Sequence, residues 1–190
     1  NATYEQASES IEHGISNATH LFNQMTGLHH RDIGAAGAAL LHDQVFVEMI
    51  ADGIHISPEM IKLALKVKGT EKAILITDAM RAKGMADGQY DLGGQEVTVT
   101  GDEARLADGT LAGSILKMND AIKNVCHFTG YSLQEVVQMA SANPAKQLNI
   151  FDQKGSIAAG KDADLVIMDT NFNVFTTICR GKIAYRGEEQ

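Results

Sequence analysis

Three short strand-like segments, the last two apolar, limit what this chain can fold into. They fall at residues 15–19, 45–51 (VFVEMIA) and 73–77 (AILIT). The second and third are continuous rather than alternating, which suits parallel strands buried on both faces. Their starts are separated by about 30 residues, the size of a strand–helix unit. Residues 4–13 are polar with helical spacing. Between the second and third runs Ser57 can cap a helix and Pro58 fits its first turn. The residues Ile61, Leu63, Ala64, Leu65 and Val67 then predict a broad buried stripe.

The pattern changes over residues 90–110. There the chain alternates and carries Gly-Gly, Thr-Gly-Asp and Ala-Asp-Gly turns, the signature of β-hairpins. After Gly113 a helix is expected over about 115–128, with Ile115, Met118, Ile122 and Val125 on one face. Ser132 and Glu135 match a capping box. Asn143 and Pro144 read as a cap and first turn of a further short helix. From Gly155 the text is β again. Alternating strands and helices of this kind imply an α/β fold of (β/α) barrel type. A closed barrel needs eight parallel strands. Three are legible here, so the expectation is a fragment whose sheet edges would otherwise stay open.

Composition narrows the function classes. At 44% hydrophobic residues the chain belongs with globular proteins, and no apolar run approaches the roughly 18 residues of a membrane span. A net charge of −8 with scattered Lys and Arg argues against nucleic acid as a partner. The first residues do not combine a basic region with an apolar stretch. Two distant cysteines, Cys126 and Cys179, make neither a disulfide framework nor a thiolate metal site. A cytoplasmic protein with both thiols buried is expected.

Several residues could carry chemistry. Asp78 ends the run at 73–77. In a (β/α) barrel the C-terminal strand ends hold the active site, so Asp78 is either a catalytic acid, a ligand or a turn cap. His20 follows the first run and could ligate a metal or be structural. His55 lies just beyond the second run, after Gly53, where the backbone could approach a ligand or simply turn. The loop His29-His30-Arg31 offers a planar guanidinium for a phosphate, or a surface salt bridge. The small-residue turn at 111–114, placed before a helix, would present N–H groups to an anionic or polar ligand, or merely cap that helix. His13, His42 and His127 lie on expected helices and are assigned no role. No phosphate loop, H-E-x-x-H or G-x-S-x-G motif is present.

The order of these segments is more specific than any of them alone. Asn17-Ala18-Thr19-His20-Leu21-Phe22-Asn23, His29-His30-Arg31, Ala51-Asp52-Gly53-Ile54-His55, Thr77-Asp78-Ala79 and Leu111-Ala112-Gly113-Ser114 together resemble the C-terminal half of the N-acetylglucosamine-6-phosphate deacetylase family, within the amidohydrolases. The tail, with Gly155-Ser156-Ile157, Gly160-Lys161 and Ala163-Asp164-Leu165-Val166, is similar to the small β-sandwich domain found across that superfamily, as is Asn143-Pro144-Ala145. The resemblance implies the C-terminal portion of a (β/α)8 barrel over 1–150, with a hairpin insertion at about 88–110, and part of the small β domain over 151–190.

It also implies roles. His20 is a metal ligand, the metal being divalent and expected to be zinc. Asp78 is the catalytic acid and base. Asn23 and Gln24 contact the sugar phosphate, chiefly through backbone, although Gln24 stands where the family usually has a small residue. Arg31 binds phosphate, in the site of a second copy of a homodimer. Asp52, Gly53, Ile54 and His55, with Leu111, Ala112 and Gly113, line the sugar pocket. The implied reaction is hydrolysis of the acetamide of a phosphorylated amino sugar, without nucleic-acid or membrane partners. The family's glutamate ligand, its second histidine ligand and the histidine that helps polarise the carbonyl lie in an N-terminal half that would precede Asn1, so this chain alone is expected to be inactive. The competing expectations are another amidohydrolase, a cyclic amidase or deaminase, and a non-catalytic interaction domain. An intact Asp78 speaks against the last.

Overall fold

The computed structural model describes residues 1–187. Helix α1 (Tyr4–Glu12) opens on a reciprocal cap. Thr3 Oγ1 accepts from the Gln6 N–H at 3.3 Å, and Gln6 Oε1 accepts from the Thr3 N–H at 3.0 Å. Then follow β1 (Asn17–Ala18), α2 (Gly34–Leu41), β2 (Phe46–Ile50), α3 (Pro58–Lys68) and β3 (Ala73–Ile76). The three strands form one parallel sheet in the order β1-β2-β3, with Ala18 opposite Val47 and Val47 opposite Ala73. Side chains alternate across a strand. Val47, Met49, Ala73 and Leu75 therefore share one face, and all are at most 2% exposed. Helices pack against this sheet, and burying each such Val, Met or Leu contributes roughly 1.5–3 kcal/mol. Glu48, Ile50, Ile74 and Ile76 share the opposite face, where Glu48 and Ile76 are only half-buried.

The alternating segment folds as an antiparallel meander of β4 (Gly88–Leu92), β5 (Gln95–Thr100) and β6 (Glu103–Leu106). It has its own small core of Val97, Val99 and Ala104 against Met80, Ala82 and Ala112. Helices α4 (Met118–Thr129), α5 (Leu133–Ala140) and α6 (Ala142–Gln147) return to the first sheet. The tail is a second antiparallel sheet of β7 (Leu165–Met168), β8 (Val174–Cys179) and β9 (Lys182–Arg186), largely exposed. The architecture is thus mixed α/β with three separate three-stranded sheets. Among the described residues the parallel sheet does not close, and the tail sheet has no second layer.

Several local expectations change. In α3 the Ser57 cap and Pro58 stand as read, but Leu63 and Val67 are 44% and 48% exposed. The buried stripe is the narrower set Ile61, Ala64 and Leu65, because only the i, i+3, i+4 positions face the sheet. Helix α4 begins at Met118, so Ile115 precedes it and the turn at 111–114 does not abut its N-terminus. The apolar Ile115 and Leu116 extend the helical pattern without being helical. The Ser132–Glu135 box is present, with the Ser132 N–H on Glu135 Oε2 at 2.8 Å. Asn143 is no cap. It lies inside α6, wholly buried, and its Nδ2 donates to the Thr70 and Ala73 carbonyls, both at 2.7 Å. Cys126 is only half-buried, and Cys179 is exposed at the end of β8.

Candidate active site

His20, Asp52 and Asp78 each stand two residues beyond the end of β1, β2 and β3. The parallel register therefore delivers all three to the same, C-terminal, edge of one sheet. Ile50 opposite Ile76 puts Asp52 and Asp78 at one level, whereas Ala18 opposite Val47 leaves His20 three residues short of it, level with Met49. Backbone conformation then departs from the ordinary. His20 has φ 36° and Asp78 φ 47°, in the left-handed region. Aspartate tolerates that region better than most residues, and non-glycine residues held there often mark functional sites.

The backbone around Asp78 is clamped by the segment at 111–114. Ala79 pairs with Ser114 in a parallel bridge. The Ser114 N–H donates to the Asp78 carbonyl at 2.9 Å, and the Met80 N–H donates to the Ser114 carbonyl at 2.8 Å. Ser114 Oγ donates to the Thr77 carbonyl and accepts from the Leu116 N–H at 3.1 Å. Gly113 is required here. Its φ is +68°, and a Cβ would stand 3.2 Å from the Asp78 carbonyl oxygen. The turn thus acts as a short partner for the chain after β3. The N–H groups of Ala112 and Ser114 hold protein backbone, at the Ala104 and Asp78 carbonyls, and the turn does not head or cap a helix as expected. Asp78 itself is exposed.

Asp52 closes a tight turn. Its Oδ1 accepts from the N–H groups of Ile54 and His55, each at 2.8 Å, and its Oδ2 faces His55 Nδ1 at 2.6 Å. Burial favours protonation of Asp52, but the hydrogen bonds from the His55 ring and from the two N–H groups outweigh it. The carboxyl is held below the usual aspartate range. Gly53 supplies the positive φ of +80° that the turn needs.

The loop after β1 alternates in hand, with Phe22 at φ 73° and Gln24 at φ 55° beyond His20. The Leu21 N–H donates to the Glu48 carbonyl at 2.7 Å, and the Asn23 N–H to the His20 carbonyl at 2.9 Å. His20 Nδ1 is buried without a hydrogen-bond partner. An enclosed, unsatisfied imidazole nitrogen at a strand end fits a ligand to a divalent metal. It fits as one donor only. Among the described residues no three His, Cys, Asp or Glu side chains come together as a metal cage.

Arg31 is exposed at the tip of a turn closed by His29 and Asp32, and its Nη1 pairs with His30 Nε2 at 2.6 Å. A polar cavity of about 600 Å³ takes in Asp52 and Ile54 with Asp102, Lys117 and Lys123, but neither His20 nor Asp78. Leu111, Ala112 and Gly113 reach the edge through the Ser114 bridge. Sequence reading singled out neither Ser114 alone nor the Asn17–Glu48 pair, in which Asn17 Nδ2 donates to Glu48 Oε1 at 2.9 Å. The one signal for that pair was a glutamate inside an otherwise apolar strand.

The model of the Amidohydrolase family matches residues 1–184. The chain belongs to the amidohydrolase family. Members of that family are generally metal-dependent. This amidohydrolase is 53% identical over 182 residues to N-acetylglucosamine-6-phosphate deacetylase of Bacillus subtilis (strain 168), covering 96% of this chain and 46% of the relative. It superposes on the crystal structure of N-acetylglucosamine-6-phosphate deacetylase from Thermotoga maritima with a TM-score of 0.92 at 43% identity, over 98% of this chain and 51% of that one. A variant of the Mycobacterium smegmatis enzyme, solved in complex with N-acetyl-D-glucosamine-6-phosphate, gives a TM-score of 0.91 at 36% identity, over 96% of this chain and 49% of that one. The chain spans about half the length of the curated relatives it matches.

Proposed function

We propose that this amidohydrolase hydrolyses the acetamide of N-acetylglucosamine-6-phosphate to glucosamine-6-phosphate and acetate, a step of amino-sugar catabolism. The observation that carries the reading is the common strand-end row of His20, Asp52 and Asp78, in a chain this similar to deacetylases. His20 would hold a divalent ion, zinc, together with donors outside the described residues. Such an ion acidifies a water for attack on the acetamide carbonyl. Asp78 takes that water's proton and returns it to the departing amine. Its exposure and its clamped backbone support this role. Asn23 and Gln24 hold the sugar phosphate through backbone, and Leu111, Ala112, Gly113 and the 52–55 turn line the sugar. Arg31, exposed at the tip of its turn, reaches the phosphate in the second copy of a homodimer.

On this reading residues 1–150 are the C-terminal part of a (β/α)8 barrel, and residues 151–190 belong to a small β-sandwich. The 190 residues alone do not catalyse, because they offer one enclosed imidazole nitrogen and no complete cage among the described residues. The protein works in the cytoplasm, where its free cysteines stay reduced. Among the described residues no helix is long and apolar enough to cross a membrane.

The test is acetate release from N-acetylglucosamine-6-phosphate by the full-length protein with zinc, beside its Asp78→Asn variant. Release that the variant loses is the expected result. No release by the unsubstituted protein would move the assignment to another amidohydrolase substrate, a cyclic amide or an aminated ring. Release that survives the substitution would remove Asp78 as the acid and base.

A further inference from the structure

We infer that Asp52 is a positioning residue for His55, holding the ring's Nδ1–H toward itself and leaving Nε2 as the atom offered to the sugar. The pair is sealed on the Asp52 side, the two side chains being 7% and 8% exposed. An ionised carboxylate only accepts hydrogen bonds. The ring nitrogen 2.6 Å from Oδ2 must therefore carry the proton. The turn leaves no second arrangement, since Oδ1 already serves the Ile54 and His55 N–H groups. A free imidazole prefers its proton on the other nitrogen, so the protein imposes the less favoured tautomer. His55 Nε2 makes no hydrogen bond to the described residues, yet it is not among the atoms sealed from solvent without a partner. It is an open acceptor beside the strand-end row. In the neutral ring such an atom meets a donor, and the sugar hydroxyls supply one. A site built to bind a hydroxyl rejects ligands that lack it.

This inference rests on the proposed function only for the identity of the sugar, and the experiment separates the two. Histidines of the full-length protein are labelled with 15N, and the His55 signals are identified by their loss in His55→Gln. The expected spectrum shows Nδ1 protonated and Nε2 bare. In Asp52→Asn the carboxamide keeps its oxygen on the two backbone N–H groups and turns its NH2 to the ring, so the proton moves to Nε2. A ring that carries its proton on Nε2 in the unsubstituted protein, or that averages between tautomers, overturns the inference. Both of those outcomes are read on the unsubstituted protein, so they stand even if the Asn variant does not fold.

The kinetic arm uses N-acetylglucosamine-6-phosphate and the metal-loaded full-length protein. Asp52→Asn should raise KM about tenfold, the equivalent of one good hydrogen bond, with kcat little changed. Adding His55→Gln to it should cost almost nothing more. Fully additive losses would overturn the positioning role. Absence of any acetate release would instead remove the proposed substrate, and the ring's proton would still be decided by the spectrum.

Discussion

The Ser114 N–H reaches the Asp78 carbonyl at 2.9 Å across a gap of 36 residues in sequence, and the Ser114 hydroxyl bonds the carbonyl just before it, that of Thr77. One serine thus holds the chain on both sides of a left-handed aspartate. Ser114→Ala should lower kcat for acetate release about tenfold while KM stays within about twofold, because it frees the proposed acid–base group without touching the proposed sugar contacts. Ser114→Thr, which restores the hydroxyl, should recover part of that loss. Gly113→Ala should be worse, adding roughly 1–2 kcal/mol of backbone strain at its positive φ. Steady-state kinetics with a melting curve separates the two effects. A Ser114→Ala change confined to KM would count against the clamp.

Arg31 gives a prediction about the phosphate. Its exposed guanidinium makes only a neighbouring histidine contact within the described chain. Arg31→Ala should raise KM for N-acetylglucosamine-6-phosphate about 10- to 100-fold, the worth of a charge-assisted hydrogen bond. Turnover of unphosphorylated N-acetylglucosamine should be unaffected. Equal losses on both substrates would mean that Arg31 serves the fold instead.

Asn143 ties α6 to the entry of β3. Its amide group is the donor for the Thr70 and Ala73 carbonyls. Asn143→Ala should cost about 1–3 kcal/mol by leaving these acceptors unpaired in a buried place. Urea unfolding of the full-length protein should show a lower midpoint and an unchanged slope. A shift within the error of the midpoint would show the tie to be dispensable.

Lys68 predicts a pH dependence. Its Nζ donates to the Ala39 and His42 carbonyls at the end of α2, at 2.8 and 2.6 Å. Burial, partly offset by Asp43, pulls its pKa down to about 8 from 10.5. The unfolded chain therefore binds more protons than the folded one between about pH 8 and 10.5. Stability from this group should rise with pH across that window and be flat below it. Comparing melting temperatures from pH 7 to 10 with those of Lys68→Met should isolate the slope. A steeper rise in the variant would reverse the assignment.

What the sequence made legible was local. Ser57 with Pro58, and Ser132 with Glu135, could be read because a cap and its helix lie within a turn of each other. The runs at 45–51 and 73–77 were legible because strands largely buried on both faces are apolar at nearly every position, Glu48 being the exception. Asn143 was misread because its side chain answers to Thr70 and Ala73, which no neighbouring residue announces. Leu63 and Val67 looked buried because periodicity gives the direction of an apolar stripe but not the width that the sheet covers. The strand-end placement of His20 and Asp78 was legible because each directly follows a strand-like segment. The Ser114 hold on Asp78, and the aspartate that orients His55, needed coordinates because both depend on atomic contacts rather than residue type.

The two-residue stagger that places His20, Asp52 and Asp78 beyond β1, β2 and β3 also governs when such a site can exist. Each residue belongs to a different excursion of the chain: Asp52 and Asp78 meet once β2 pairs with β3, and His20 joins only when β1 adds to β2. Completion of the row therefore waits on both pairings, whose loop closures must be met before the full set of binding contacts can repay them. Opening of the central strand β2 would disperse the whole row at once. Ligand protection against hydrogen exchange should accordingly spread along all three strands together, rather than stay with the loop that touches the ligand.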